Sequence, residues 1–140
     1  MTEVTRIKSG SKFEDLFCFS RLVKADRWVY SSNTAGRNYQ TREMSPDTAA
    51  QANQALDNLA GALAGVGATL ADTVRFDVCV ATPDDLEIVL GVIADRIRGH
   101  DPAHTIHIGP MPNAEMKVEL ALVAFIRDPQ TPDVVKSVTV

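Results

Sequence analysis

Residues 116–125 constrain the fold of this chain more than any other segment. Along a β-strand, successive side chains point to opposite faces. Met116, Val118, Leu120, Leu122 and Ala124 make one continuous apolar face. From Ala121 through Val123 to Phe125 the opposite face is apolar as well. Such a strand belongs inside a sheet with both sides covered. A second period-two series, Val74, Phe76, Val78 and Val80, alternates with Arg75, Asp77 and Cys79, so one of its faces is buried. Residues 19–24 and 28–33 flank Ala25-Asp26-Arg27 and read as a hairpin. A short strand at residues 105–108 precedes Gly109-Pro110.

Two helices carry clear start and stop signals. Ser45-Pro46-Asp47 offers a serine N-cap, a proline at the first helical position and an acid at the positive pole of the dipole. The stripe Ala49, Ala52, Leu56, Leu59, Ala60 and Leu63 follows, and Gly65 and Gly67 end it. Thr82-Pro83-Asp84-Asp85 repeats the opening, and Leu86, Val89, Leu90, Ile93 and Ile97 run on to Gly99. The resulting order, β-β-β-α-β-α-β-β, is an α/β (α+β) fold with two helices on one mixed sheet. Right-handed crossovers put both helices on the same face. The other face stays bare and, because of residues 116–125, apolar enough to need a partner. Other copies of the chain, closed into a homo-oligomer, are the economical cover.

At 140 residues the chain predicts one domain with a core that needs no disulfide or metal. The formal charge is −4, without a basic stripe, so no nucleic-acid partner is expected. No apolar run approaches the roughly 18 residues of a membrane span, and the N-terminus shows no secretory core. Cys18 and Cys79 match no metal or redox spacing and read as buried thiols of a reducing, cytoplasmic compartment. Three polar stretches break the pattern: residues 9–15, residues 34–46, and a tail from Arg127 that carries Pro129 and Pro132. The tail ends in Val134, Val135, Val138 and Val140, which suit either a short edge strand or a frayed end.

His100, His104 and His107 cluster in sequence, yet 104 and 107 would face opposite sides of a strand and 100 lies in a loop. No metal site is expected from them. Glu119 is the most informative acid, because it interrupts an otherwise apolar strand. It reads either as a carboxylate facing a pocket, able to hold a water or move a proton, or as a solvent-facing neighbour of Lys117. Ser20-Arg21 and Ser31-Ser32-Asn33 place hydrogen-bonding groups at strand positions, without a nucleophile elbow around them. Gly65-Val66-Gly67 follows a helix and lacks a third glycine, so it terminates that helix and does not cradle a dinucleotide.

Four ordered blocks resemble the RidA (YjgF) family. Ser20-Arg21-Leu22-Val23, followed by Trp28-Val29-Tyr30-Ser31-Ser32-Asn33-Thr34-Ala35-Gly36, is similar to its "SRAV…WVFVSGTTG" segment. Gln51-Ala52, Gln54-Ala55-Leu56 and Asn58-Leu59, with Gly67-Ala68 and Asp72-Thr73-Val74, resemble its helix-and-strand block. Pro102-Ala103-His104-Thr105 resembles "PARS/T", and Lys117-Val118-Glu119-Leu120-Ala121 resembles "VEIEA". The resemblance spans residues 5–126, which sets a single domain at 1–126 and a tail at 127–140. It implies a chorismate-mutase-like fold, a homotrimeric barrel-like assembly, and small-molecule clefts between protomers. It further implies cofactor-independent hydrolysis of a reactive enamine or imine, with a non-catalytic trimeric binding protein as the alternative. RNA cleavage, known for some relatives, sits poorly with the charge.

By the same resemblance Glu119 orients the attacking water, and Ser32 and Asn33 stand at the family's "SG" dipeptide. His104 stands where the family has the arginine that clamps a substrate carboxylate, and is left as a proton donor or acceptor. Phe19 stands at a tyrosine position, Leu90 at an asparagine position, and Ile106 completes the ligand-binding set. A pocket that has lost its fixed cation is expected to prefer a neutral or weakly acidic ligand.

Overall fold

The computed structural model describes residues 3–139. The chain runs β1 (Val4–Ile7), α1 (Lys12–Leu16), β2 (Leu22–Ala25), β3 (Trp28–Ser31), β4 (Thr34–Ala35), α2 (Thr48–Ala64), a 3-10 turn (Leu70–Asp72), β5 (Thr73–Val80), α3 (Pro83–Ile97), β6 (Ala103–Ile108) and β7 (Val118–Phe125). One mixed sheet has the order β1-β2-β3-β7-β5-β6, with β4 bonded to β7. All its pairs are antiparallel except β5 with β6. The expected α+β architecture is therefore present, and β7 lies inside the sheet as its two-sided apolarity requires.

Both long helices cover one face. Val29, Phe76, Val78, Leu120 and Leu122 meet Leu56, Leu59, Leu63, Val89 and Ile93 in one fully buried core. Neither long helix lies on the opposite face. Trp28 and Tyr30 stay 43% and 48% exposed there, next to half-buried Val123 and Phe125. Trp28 and Phe125 meet edge to face, with ring centroids 4.9 Å apart. In a single chain this apolar surface faces water.

Several boundaries differ from the sequence reading, each for a local reason. The α3 cap stands as expected, with Thr82 Oγ1 accepting from the Asp85 N–H. The α2 cap shifts to Asp47, whose carboxylate accepts from the Ala50 N–H at 2.8 Å. Ser45 instead accepts from the Asp47 N–H and shapes the turn before it. The hairpin strand begins at Leu22, because residues 17–21 close the short helix α1. That helix lies inside the polar stretch read as a break.

Cys18 is exposed, contrary to the expectation of a buried thiol, because it sits in the turn after α1 with φ 58°. Cys79 is half-buried on the helix-free face. Residues 127–139 form no strand, so of the two alternatives read for the tail the edge strand is absent there, and Val140 lies outside the described residues. Among the described residues no helix is long and apolar enough to cross a membrane.

Candidate functional site

The helix-free face is shaped by a buried ion pair at the entry to β2. Arg21 is 8% exposed and its Nε lies 3.4 Å from Glu14 Oε2, itself 1% exposed. A buried pair is stable only when its remaining hydrogen-bonding groups are satisfied. Both partners meet that condition. The Ser9 N–H and hydroxyl donate to Glu14. Arg21 Nη1 donates to Asn33 O at 2.6 Å and to Thr34 Oγ1 at 3.2 Å. The pair therefore fixes the Ser32-Asn33-Thr34 backbone between β3 and β4.

A second set of contacts fixes the far wall. Gln51 is fully buried; its Nε2 donates to Ser45 O and Glu115 O, and its Oε1 accepts from the Lys117 N–H. This holds the chain just before Glu119. Asn58 Nδ2 donates to Ala35 O and Arg37 O. Gly36 passes so close to α2 that an added Cβ would stand 2.3 Å from Gln51 O. Only glycine lets the backbone approach to that distance.

Between these walls lies a cleft of about 760 Å³, lined among others by Lys12, Arg21, Asn33, Arg37, Arg42 and Glu119. Glu119 pairs in register with Ala35 of β4 and Cys79 of β5, so it projects from the helix-free face. Burial pushes its carboxyl above the ordinary glutamate value, and the Arg21 charge partly offsets this. A carboxyl tuned upward in this way is suited to accepting a proton from water and returning it. Tyr39, also on the cleft wall, is raised by burial. This cleft of a single chain is lined by cations. The cations come from α1, from Arg21 and from the loop after β4, and not from the strand that carries His104. Among the described residues no three His, Cys, Asp or Glu side chains are grouped to hold a metal ion.

Solved structures share this fold over most of their length. The Rv2704 protein of Mycobacterium tuberculosis, described as a member of the YjgF/YER057c/UK114 family, superposes with TM-score 0.80 at 29% identity, over 89% of this chain and all (100%) of that one. RidA from an Antarctic Psychrobacter gives 0.72 at 26%, over 77% and 88%. The E. coli YjgF gene product gives 0.72 at 24%, over 78% and 88%. The family model described as Endoribonuclease L-PSP matches residues 10–126. The chain belongs to the YjgF/RidA family. No curated protein matches it.

Within this RidA-family chain the residues singled out from sequence fall into two groups. Glu119 and Asn33 line the cleft. Ser32 donates to Ser20 O at 2.7 Å, and Phe19 lies against the Arg21 guanidinium at 5.5 Å. His104 is elsewhere. It pairs with Phe76 of β5, so it points to the helix face, and its ring meets Phe76 edge on at 6.1 Å. With Leu90 it lines a groove of about 300 Å³ between α3 and β6. Ile106, 41% exposed, pairs with Val78 on the same edge strand and face. Glu119 and His104 thus lie on opposite faces of one sheet, with β5 between their strands. One protomer does not bring them together. His107 pairs with Cys79 and points the other way from His104, as the strand parity required.

Lys12, Arg37, Tyr39 and Arg42 were not legible as site residues. They lie in polar stretches without periodicity, and only Arg21, next to Ser20, carried a weak signal.

Proposed function

We propose that this chain is a cofactor-independent hydrolase of a reactive enamine or imine, acting in clefts between the copies of a homotrimer. The observation that carries the reading is Glu119. It is a half-buried carboxyl raised by its surroundings, in a cleft on the apolar face that a partner must cover. In the reaction, water adds to the carbon of the C=N bond while Glu119 takes the water proton. That proton passes to nitrogen and gives a carbinolamine; the new hydroxyl then loses its proton through Glu119 to the same nitrogen as the C–N bond breaks, leaving a carbonyl compound and ammonia. A second copy, seated on the helix-free face, supplies the His104 and Leu90 edge to the same cleft. A heterologous ring of this kind buries the Trp28, Tyr30, Val123 and Phe125 surface.

The endoribonuclease description of the family is not adopted for this chain, whose charge is −4. A non-catalytic trimeric binding protein is the second reading, favoured by His104 and Phe19 where the family resemblance places arginine and tyrosine. The test is ammonia release from imines generated in situ by an amino-acid oxidase. Wild-type protein is expected to accelerate release, and Glu119→Gln to reduce kcat by ~10²-fold, the lower end of general acid–base contributions. Unchanged release with both proteins, together with thermal stabilisation by a ligand that is never converted, would establish the binding reading instead. The proposed location is the cytoplasm.

A further inference from the structure

We infer that the cavity beside α2, lined by the side-chain amides of Asn38, Gln40, Gln54 and Asn58, is a second binding site, built for a neutral cyclic polyol of monosaccharide size. It is a different cavity from the Glu119 cleft and stands independently of the hydrolase reading. The two share only the wall formed by Arg21 and Tyr39.

The first support is which polar groups are spoken for. The cavity holds about 370 Å³, enough for a small organic ligand, and lies between the end of β1, the loop after β4 and one flank of α2. Each charged group on its wall already has a partner. Lys8 Nζ donates to Phe19 O at 2.6 Å, Arg21 is paired with Glu14, and Asp57 with Arg96 at 2.8 Å. The amides are held but not exhausted. Gln54 Nε2 donates to Asn58 Oδ1 at 2.9 Å, and Asn58, 9% exposed, is fixed by its own bonds to Ala35 O and Arg37 O. Gln54 is thereby left with Oε1 as its atom without a partner among the described residues. Asn38 is held the opposite way: its Oδ1 accepts from the Gln40 and Thr41 N–H groups, and its Nδ2 has no partner among the described residues. Burial raises the Tyr39 phenol, so it brings no charge. The wall thus offers a fixed acceptor and a fixed donor without net charge. Neighbouring ring hydroxyls, which both donate and accept, match that pattern.

The second support is the apolar side of the cavity, formed by Ile7, Gly61 and Ala62, which suits the C–H face of a sugar ring. Gly61 lies inside α2, where glycine costs helix stability relative to alanine. A Cβ there would meet no atom within 4 Å, so the packing of the chain itself does not call for glycine. Its absence of a side chain leaves the cavity open. Gly91 is equally unconstrained in α3 but lines neither this cavity nor the Glu119 cleft, which makes it a control. Ile7 packs against the helix-side core, so the site lies off the face that a partner covers in the proposed assembly.

The test titrates D-glucose, D-ribose and myo-inositol into the assembled protein, read by saturation-transfer NMR, with D-glucuronate and adenine as contrasting probes. At least one of the three polyols is expected to bind, and more tightly than either contrasting probe. Gly61→Leu fills the cavity while improving helix propensity. It is expected to weaken that polyol at least tenfold with Tm unchanged or raised, so that lost binding is not lost folding. Gln54→Met keeps the side-chain length, removes the acceptor and adds no bulk; it is expected to weaken the same polyol at least fivefold. Gly91→Leu is expected to bind within twofold of wild type. No polyol binding by wild type, polyol binding within twofold of wild type in Gly61→Leu or in Gln54→Met, or tighter binding of D-glucuronate or adenine each overturns the proposal. Because binding is read directly, the outcome is independent of whether the chain turns over an imine.

Discussion

Removing Glu14 leaves the Arg21 guanidinium buried without its counter-charge. Glu14→Ala deletes the acceptor of four donors: the Ser9 N–H, the Ser9 hydroxyl, and Arg21 Nε and Nη2. Arg21 is only 8% exposed, so water does not readily replace the carboxylate. Breaking a buried pair from one side costs about 3–5 kcal/mol. For a domain of this size each kcal/mol lowers Tm by roughly 3–4 °C, so a fall of about 10–20 °C is expected in calorimetry at fixed protein concentration. Replacing both partners, as Glu14→Leu with Arg21→Met, is expected to recover most of that loss, because neither charge then remains buried. The single variant also frees the Asn33 carbonyl and Thr34 from a fixed anchor, so the cleft loosens with it. A fall of less than about 4 °C for Glu14→Ala would refute the reasoning, since it would mean Arg21 finds water or another acceptor at little expense.

Other perturbations give results of definite sign. The raised Glu119 carboxyl binds its proton more tightly folded than unfolded. Its contribution to stability is therefore full below the unfolded value and is lost as pH rises through the folded value. Glu119→Gln is thus expected to raise Tm at pH 7 and to lose that advantage below pH ~4, near the ordinary glutamate value, in a pH series of thermal melts. Asp85 behaves oppositely: burial raises its carboxyl, but hydrogen bonds from Thr82 and Thr48, with the Lys117 charge, outweigh this and lower it. Its stabilisation is present above the unfolded value and fades as pH falls, and Asp85→Ala is expected to cost about 1–3 kcal/mol in urea unfolding at pH 7. Gly36→Ala sets a methyl carbon 2.3 Å from Gln51 O, backbone against backbone, and is expected to destabilise by about 3 kcal/mol or more, read from the same urea midpoint. Trp28→Glu with Tyr30→Glu puts charges on the helix-free face and is expected to yield smaller species in sedimentation velocity; an unchanged sedimentation coefficient would remove that face from the assembly.

Much of the scaffold was readable because its signals are local. Thr82-Pro83 announces α3 within two residues, and the alternation of residues 73–80 and 118–125 names both central strands and their buried faces. The α2 start was off by two positions because Ser45 and Asp47 are both competent caps, and only the fold decides which one reaches an orphan N–H. Glu14 escaped notice because its partner lies seven residues away across a turn that no periodicity reveals. The site was legible only in part. Glu119 stood out as an acid in an apolar strand, but Arg37 and Arg42 reach the cleft through loop geometry that residue types do not encode. The split between Glu119 and His104 follows from register: strand parity was visible, whereas the position of β5 between their strands was not.

The placement of Glu119 and His104 on opposite sides of one sheet has a consequence for mixtures. In the proposed ring, each working cleft draws its acid from one chain and its imidazole from the next. Two crippled proteins, one lacking the carboxylate and the other the imidazole, then complement each other once subunits exchange. Random reassembly of equal amounts restores both groups in about one cleft in four, although neither parent possesses an intact one.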